Sequence, residues 1–204
     1  MTSSRASYHH GDLKTALIEC AKQLLNDGGL KALSLRALAA AAGVSHMAPY
    51  AHFKNRTELF QAIAASGFRQ LTTELECVNG RLPASQLILA YGVAYINFAL
   101  NNAPLYRLML SQTQAMQSAQ ANDSTGHLSD ELAACSARPF MLLRQGFARV
   151  IRSDREQIIK AQGAWSMVHG MAALMIDGHL KVPEDMTLTQ YLEVAAPTLH
   201  AGNS

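Results

Sequence analysis

The stretch SLRALAAAAGVSHMAPYAHF, residues 34–53, decides how this chain is read. Ser34 is placed to cap a helix running from Leu35 to Ala42, its hydroxyl accepting from a free amide of the first turn. Leu35, Leu38 and Ala39 then share one face, and the run Ala39 to Ala42 is small enough for a second helix to cross closely. Gly43 can adopt the left-handed backbone of a sharp turn, and Val44 is expected to plug that turn. Ser45 is expected to cap a third, short helix reaching about Phe53. Two short helices joined at a tight glycine turn make a helix-turn-helix. The second of them is the size of object that the major groove, about 12 Å wide, admits. Pro49 limits that helix: a missing N–H is tolerated only in a first turn, so the helix must begin late or as a looser turn.

Working outward, the spacing predicts more helices and no strands. Leu13, Leu17, Ile18, Ala21, Leu24 and Leu25 follow a helical rhythm after Asp12, a plausible cap, and Gly28-Gly29 ends it. Thr57 and Glu58 open a helix toward Cys77, and Asn79-Gly80 with Pro83 marks a break. Residues 82–106 hold no charged side chain, as expected of a helix surrounded by protein. The polar stretch 111–127 reads as a loop or frayed segment. Helices follow at about 129–152, capped by Ser129, and at 155–180, the short link RSDRE making them antiparallel neighbours. Pro139 should kink or divide the first of these, and a last helix covers about 187–200. The fold class is all-α. The expected domains are a helix-turn-helix domain at 10–60, a linking helix at 61–80 and a helical domain at 81–204.

Composition narrows the function. Apolar residues make up 49% of the 204, an ordinary globular content. The N-terminus lacks the apolar core of a secretory signal, and the longest apolar run, Leu87 to Ile96, is too short to span a bilayer. No membrane partner and a cytoplasmic location are therefore expected. Cys20, Cys77 and Cys135 are far apart and read as small buried hydrophobes; no zinc spacing occurs, so no metal and no cofactor are expected. Residues 1–70 carry a net charge of +4 and residues 71–204 carry −2. A basic first third suits contact with a polyanion. Arg5 and the run Tyr8-His9-His10 read either as a minor-groove arm or as a tail. An enzyme is disfavoured: no phosphate-binding loop, GxGxxG or nucleophile elbow appears. His169, Asp177 and His179 cannot converge on one helix, since Asp177 and His179 diverge by about 200°, unless the helix ends at Gly178.

The run GVSHMAPYAHFKNRTEL resembles the signature of the TetR family of bacterial regulators, and the resemblance covers residues 10–60. AWSMVHGMAALMIDG resembles the Trp-x-x-x-His-Gly element of one C-terminal domain type in that family, and YHHGDLKTALIECA is similar to members of the same subgroup. The family implies double-stranded operator DNA as partner. By position, Ser34, Ser45 and Arg56 would lie near phosphates, with Lys54 adding charge and Arg36 also among the DNA-binding residues. His46, Met47 and Ala51 would face base edges, Tyr50 and His52 would contact the backbone, and Phe53 and Leu59 would be core.

The family also implies a small-molecule effector, a homodimer and a palindromic operator, hence a ligand-responsive repressor. Tyr91, Tyr95 and Phe98 form one stripe and read either as a ligand wall or as plain aromatic core. Met109, Trp165 and His169 join the candidate lining by resemblance. Apolar faces at Leu132, Met141, Leu142, Phe147 and Ile151, and at Ile158, Trp165, Val168, Ala172, Met175 and Ile176, suit a four-helix interface between two subunits. The alternatives are an activator, or a ligand-insensitive or architectural DNA-binding protein.

Overall fold

A computed structural model describes residues 10–121 and 130–195. The described residues contain eight α-helices, one 3-10 turn and no strand, so the chain is all-α. In order these are α1 (His10–Ala32), α2 (Leu35–Ala41), the 3-10 turn Ala48–Ala51, α3 (Arg56–Glu76), α4 (Ala84–Asn101), α5 (Ala103–Ala121), α6 (Asp130–Ala148), α7 (Asp154–Ile176) and α8 (Leu188–Ala195). Among the described residues no helix is long and apolar enough to cross a membrane.

The described residues fall into two units: residues 10–66 with 104–121 and 130–132, and residues 67–103 with 133–195. Most of α5 thus belongs to the first unit.

In the first unit, Leu17, Ala21 and Leu25 of α1, Leu38 of α2, Leu59 and Ile63 of α3, and Leu105 and Leu108 of α5 are almost wholly buried. Helix α1 is broken at Gly29, whose φ of 64° and ψ of −167° suit glycine alone. Gly28 has a different reason to lack a side chain: a Cβ there would stand 2.6 Å from the Ala32 Cβ. Leu33 is fully buried and pins the turn into α2. The polar stretch after Leu110 is helical to Ala121, against the expected loop. Glutamine, alanine and methionine are good helix formers, and the Ser111 and Thr113 hydroxyls donate back to the Leu108 and Leu110 carbonyls at 2.8 and 2.9 Å. Polarity there does not mark irregular backbone.

In the second unit α4 packs against α7 and α8. Leu87, Ile88, Ile96, Phe98 and Ala99 of α4 are buried. Gly146 on α6 lets α4 approach: a Cβ there would lie 3.4 Å from Ile88 and 3.7 Å from Tyr91. Pro139 is buried inside α6 and does not divide it. The α6–α7 connection is held by buried Gln157, whose amide donates to the Ile151 carbonyl at 2.8 Å. Ser153 caps α7, and Arg144 pairs with Asp154 at 3.2 Å. Cys77 is exposed and Cys20 and Cys135 are half-buried, so the expectation of three buried thiols does not hold; all three are free. The expected cap Ser129, the N-terminal arm and the end of the last expected helix (196–200) lie outside the described residues.

Candidate functional site

The helix-turn-helix is built as a rigid scaffold with an exposed rim. Ser34 caps α2, its Oγ accepting from the Ala37 amide at 3.0 Å. A hydroxyl that accepts in this way still has a proton to donate outward. Leu35, Leu38 and Ala39 turn inward. Gly43 takes a φ of 66°, and the Val44 amide reaches back to the Ala39 carbonyl at 3.1 Å. Val44 is half-buried, a partial plug only.

The third helix differs from expectation in length and in start. Residues 46 and 47 form a turn, and the helical part is a single 3-10 turn, Ala48–Ala51. Ser45 does not cap it by side chain; its carbonyl accepts from the Ala48 amide at 3.0 Å. Pro49 explains this. An α-helix begun at Ser45 would need the residue-49 amide to donate to Ser45, and proline has none. The amides of Tyr50 and His52 bond three residues back, to Met47 and Pro49. The Pro49 ring is buried and seats the turn on α2, while Phe53 is 2% exposed beneath it.

Helix α3 then opens with a reciprocal cap absent from the sequence expectation. The Asn55 Oδ1 accepts from the Glu58 amide at 3.0 Å, and the Glu58 carboxylate accepts from the Lys54 amide at 2.8 Å. The signal was the spacing Asn-x-x-Glu just before an apolar run.

The predicted contact residues fall as follows. Ser34, Arg36, Ser45, His46, Met47, Tyr50, Ala51, Lys54 and Arg56 are exposed. Met47 and Tyr50 are large hydrophobic side chains left 59% and 48% exposed, which a monomer's core would not leave there. His52 is half-buried instead, lining a crevice with Lys14, Glu58, Gln61 and Glu131. Arg56 is exposed, yet its guanidinium donates to the Leu30 carbonyl at 2.6 Å and covers the Phe60 ring at 4.8 Å. No acidic residue occurs from Gly28 to Thr57, while Lys31, Arg36, Lys54 and Arg56 do. Lys31, exposed in the same acid-free run, is a basic residue that the motif match alone overlooks.

The second unit holds a cavity lined by Tyr91, Tyr95, Trp165 and aliphatic side chains. Its empty space is about 390 Å³, counting the open mouth. The Tyr95 hydroxyl lies 3.2 Å from His169 Nδ1, and the His169 and Trp165 ring centres are 5.3 Å apart. Burial pushes the His169 pKa below its ordinary value of 6.5, because desolvation disfavours the charged ring. Phe98 and Met109 are also buried but do not line this cavity; Met109 belongs to the core of the first unit. Helix α7 does end before Gly178, whose φ is 76°. Among the described residues, however, no group of three His, Cys, Asp or Glu could hold a metal ion.

Comparisons with known proteins agree with this geometry. The model for "Bacterial regulatory proteins, tetR family" matches residues 17–63. The model for "Tetracyclin repressor-like, C-terminal domain" matches residues 88–196. A search of the curated proteins finds no match. Among solved structures, a Rhodococcus sp. RHA1 protein described as of unknown function is 28% identical with a TM-score of 0.74, over 96% of this chain and 97% of that one. The regulator PfmR of Thermus thermophilus is 20% identical with a TM-score of 0.57, over 92% and 98%. BioQ, solved with its double-stranded DNA operator, is 20% identical with a TM-score of 0.56, over 85% and 87%. At that identity the last two show a shared fold. With one family model on the helix-turn-helix and another across more than half of the chain, this protein belongs to the TetR family: it is a DNA-binding transcriptional regulator, not an enzyme.

Proposed function

We propose that the chain is a ligand-responsive repressor acting in the cytoplasm as a homodimer on a palindromic operator. The observation that carries the DNA reading is the exposed rim of the helix-turn-helix. Ser34, Arg36, Ser45, Tyr50 and Lys54 would hold phosphates, and His46, Met47 and Ala51 would meet base edges. The fold shared with BioQ, itself solved on its operator, supports the same surface. Because the reading element is one 3-10 turn, phosphate contacts would supply much of the affinity.

The dimer reading rests on α6 and α7. Met141, Ile159, Trp165 and Leu174 are 41% to 56% exposed, an unusual set of large apolar side chains to leave in water. Gly163 and Gly170 stand one heptad apart on α7, and a Cβ at either would meet nothing within 4 Å. A small-residue surface between Ile159 and Leu174 suits close approach of an identical helix. Two reading turns about 34 Å apart would then meet successive major grooves.

Response to a ligand would use the cavity of the second unit. The Trp165–His169 pair beside it also supports assigning the C-terminal half to the Trp-x-x-x-His-Gly type. Release requires only that the ligand bind the DNA-competent and incompetent states unequally.

The test is footprinting on the DNA flanking the gene, for wild type and Tyr50→Ala, against random duplex at physiological salt. Wild type should protect a palindrome, and the variant should lose at least tenfold in affinity. A wild type that binds random duplex equally well would refute the operator reading.

A further inference from the structure

The cavity of the second unit is selective in what it lacks. Leu75, Ile88, Leu143 and Val168 form aliphatic wall; Tyr91, Tyr95 and Trp165 form aromatic wall. Among the described residues no charged or imidazole side chain lines it, so its side-chain polar atoms are two phenol hydroxyls and one indole N–H. The Tyr95 hydroxyl is already oriented by His169 Nδ1 at 3.2 Å, which makes it a positioned hydrogen-bonding group. The space is also narrow: the 390 Å³ includes the open mouth, so the enclosed part is smaller than that.

We infer that the effector is a neutral aromatic molecule of a single ring carrying one hydrogen-bonding group, seated in the cavity and its open mouth. This rests on the ligand-response reading above and names the chemistry of the same site. Three physical points lead to it. A carboxylate, phosphate or ammonium brought here would lose its water and find no counter-charge, a heavy desolvation cost. A molecule with several polar groups would leave most of them unpaired against the aliphatic wall. Three aromatic side chains in the wall of a small space favour a flat ring, which can stack on or meet the edges of theirs, over a bulky aliphatic cage. The one polar group of the ligand would meet the Tyr95 hydroxyl, and the neutral His169 behind it can serve as donor or acceptor according to its tautomer.

Trp165 is the chain's single tryptophan, so its fluorescence reports the cavity directly. The full-length protein is titrated at pH 7.5 with 4-methylphenol, 4-methylbenzoate and 4-methylbenzylammonium, by calorimetry and by fluorescence excited at the red edge of the indole band. The phenol is expected to bind saturably, to perturb Trp165, and to bind at least tenfold tighter than either ion. Ala164→Leu fills the cavity and should abolish the signal while circular dichroism stays that of wild type; Leu143→Phe does the same from another wall should Ala164→Leu not fold. Equal or tighter binding of either ion overturns the inference. So does an unsaturable phenol titration, or phenol binding that survives both fillings. Operator affinity is measured in parallel. Phenol binding with unchanged operator affinity would sink the ligand-response reading and leave the ligand class standing. An ion that releases the operator would do the reverse.

Discussion

The Arg56 side chain is tied to the Leu30 carbonyl by a 2.6 Å hydrogen bond spanning 26 residues of sequence. It fastens the end of α1, just past the break at Gly29, to the first turn of α3, with the Phe60 ring beneath the guanidinium. Arg56 is therefore a positioning residue in this state. Arg56→Ala should lower stability by about 1 kcal/mol in urea titrations, the exposed setting discounting a charged hydrogen bond. It should leave the salt dependence of DNA binding nearly unchanged. Lys54→Ala, removing an 88%-exposed charge, should leave stability alone and reduce the salt slope by about 1 per subunit. An equal loss of slope in both variants would show that Arg56 moves to the phosphate on binding.

Gly29 is held in a backbone region that glycine alone occupies without strain. Gly29→Ala should cost on the order of 1–3 kcal/mol, read as a lower midpoint in thermal or urea unfolding. Gly28→Ala should also destabilise, through the 2.6 Å approach to the Ala32 Cβ rather than through φ. A double variant no worse than either single one would show that the turn opens after the first insult.

Pro49→Leu restores the missing amide and keeps an apolar side chain on the buried face. The 3-10 turn should lengthen into an α-helix starting near Ser45, seen as added helical signal. Base preference should change at positions met by His46 and Met47, while the salt slope should not, because phosphate contacts persist. An unchanged binding-site profile from randomised duplexes would refute the claim that Pro49 sets the reading geometry.

The exposed face of α7 predicts an assembly defect without a folding defect. Ile159→Asp combined with Leu174→Asp should give a monomer by light scattering at micromolar concentration, with helical content retained. Operator affinity should fall at least 100-fold, since each half-site would be bound alone. A wild-type protein that is itself monomeric under those conditions would end the dimer reading.

His169 gives a signed pH dependence. Its folded pKa lies below 6.5 because burial disfavours the charged ring. Well above pH 6.5 the ring is neutral in both states and the contribution is complete. As pH falls below 6.5 the unfolded chain takes up the proton first, so stability is lost down to the folded pKa. His169→Gln should flatten urea midpoints between pH 6.5 and 5 relative to wild type. Tyr95→Phe removes the hydroxyl at 3.2 Å from Nδ1 and should lower stability at every pH, with the slope kept.

Much of the scaffold was legible because its determinants are local. The Ser34 cap, the Gly43 turn and the inward Leu35, Leu38 and Ala39 follow from side-chain chemistry within one or two helical turns. The limit on the reading helix was legible too, since a proline's missing amide is visible in any sequence. What was not legible depends on partners far along the chain. Nothing at Arg56 announces the Leu30 carbonyl, and His52 looks like Tyr50 in sequence yet faces a crevice with Lys14 and Glu131. Polar residues 111–121 misled because polarity alone does not decide backbone conformation, whereas helix formation there follows backbone preference. Of the aromatic stripe, Tyr91 and Tyr95 reach the cavity and Phe98 does not, a distinction set by the packing of α4 that spacing alone cannot resolve.

The buried proline of the reading turn has a consequence at the scale of a genome. On the proposed dimer, a single 3-10 turn would present few side chains to the bases, so each half-site would convey little information, each mismatch avoided being worth only about 1–3 kcal/mol. Such a regulator would tolerate drift in its operators. Its discrimination would reside in the pairing of two half-sites at a fixed separation, so spacer length, more than any one base, would set which promoters it can hold.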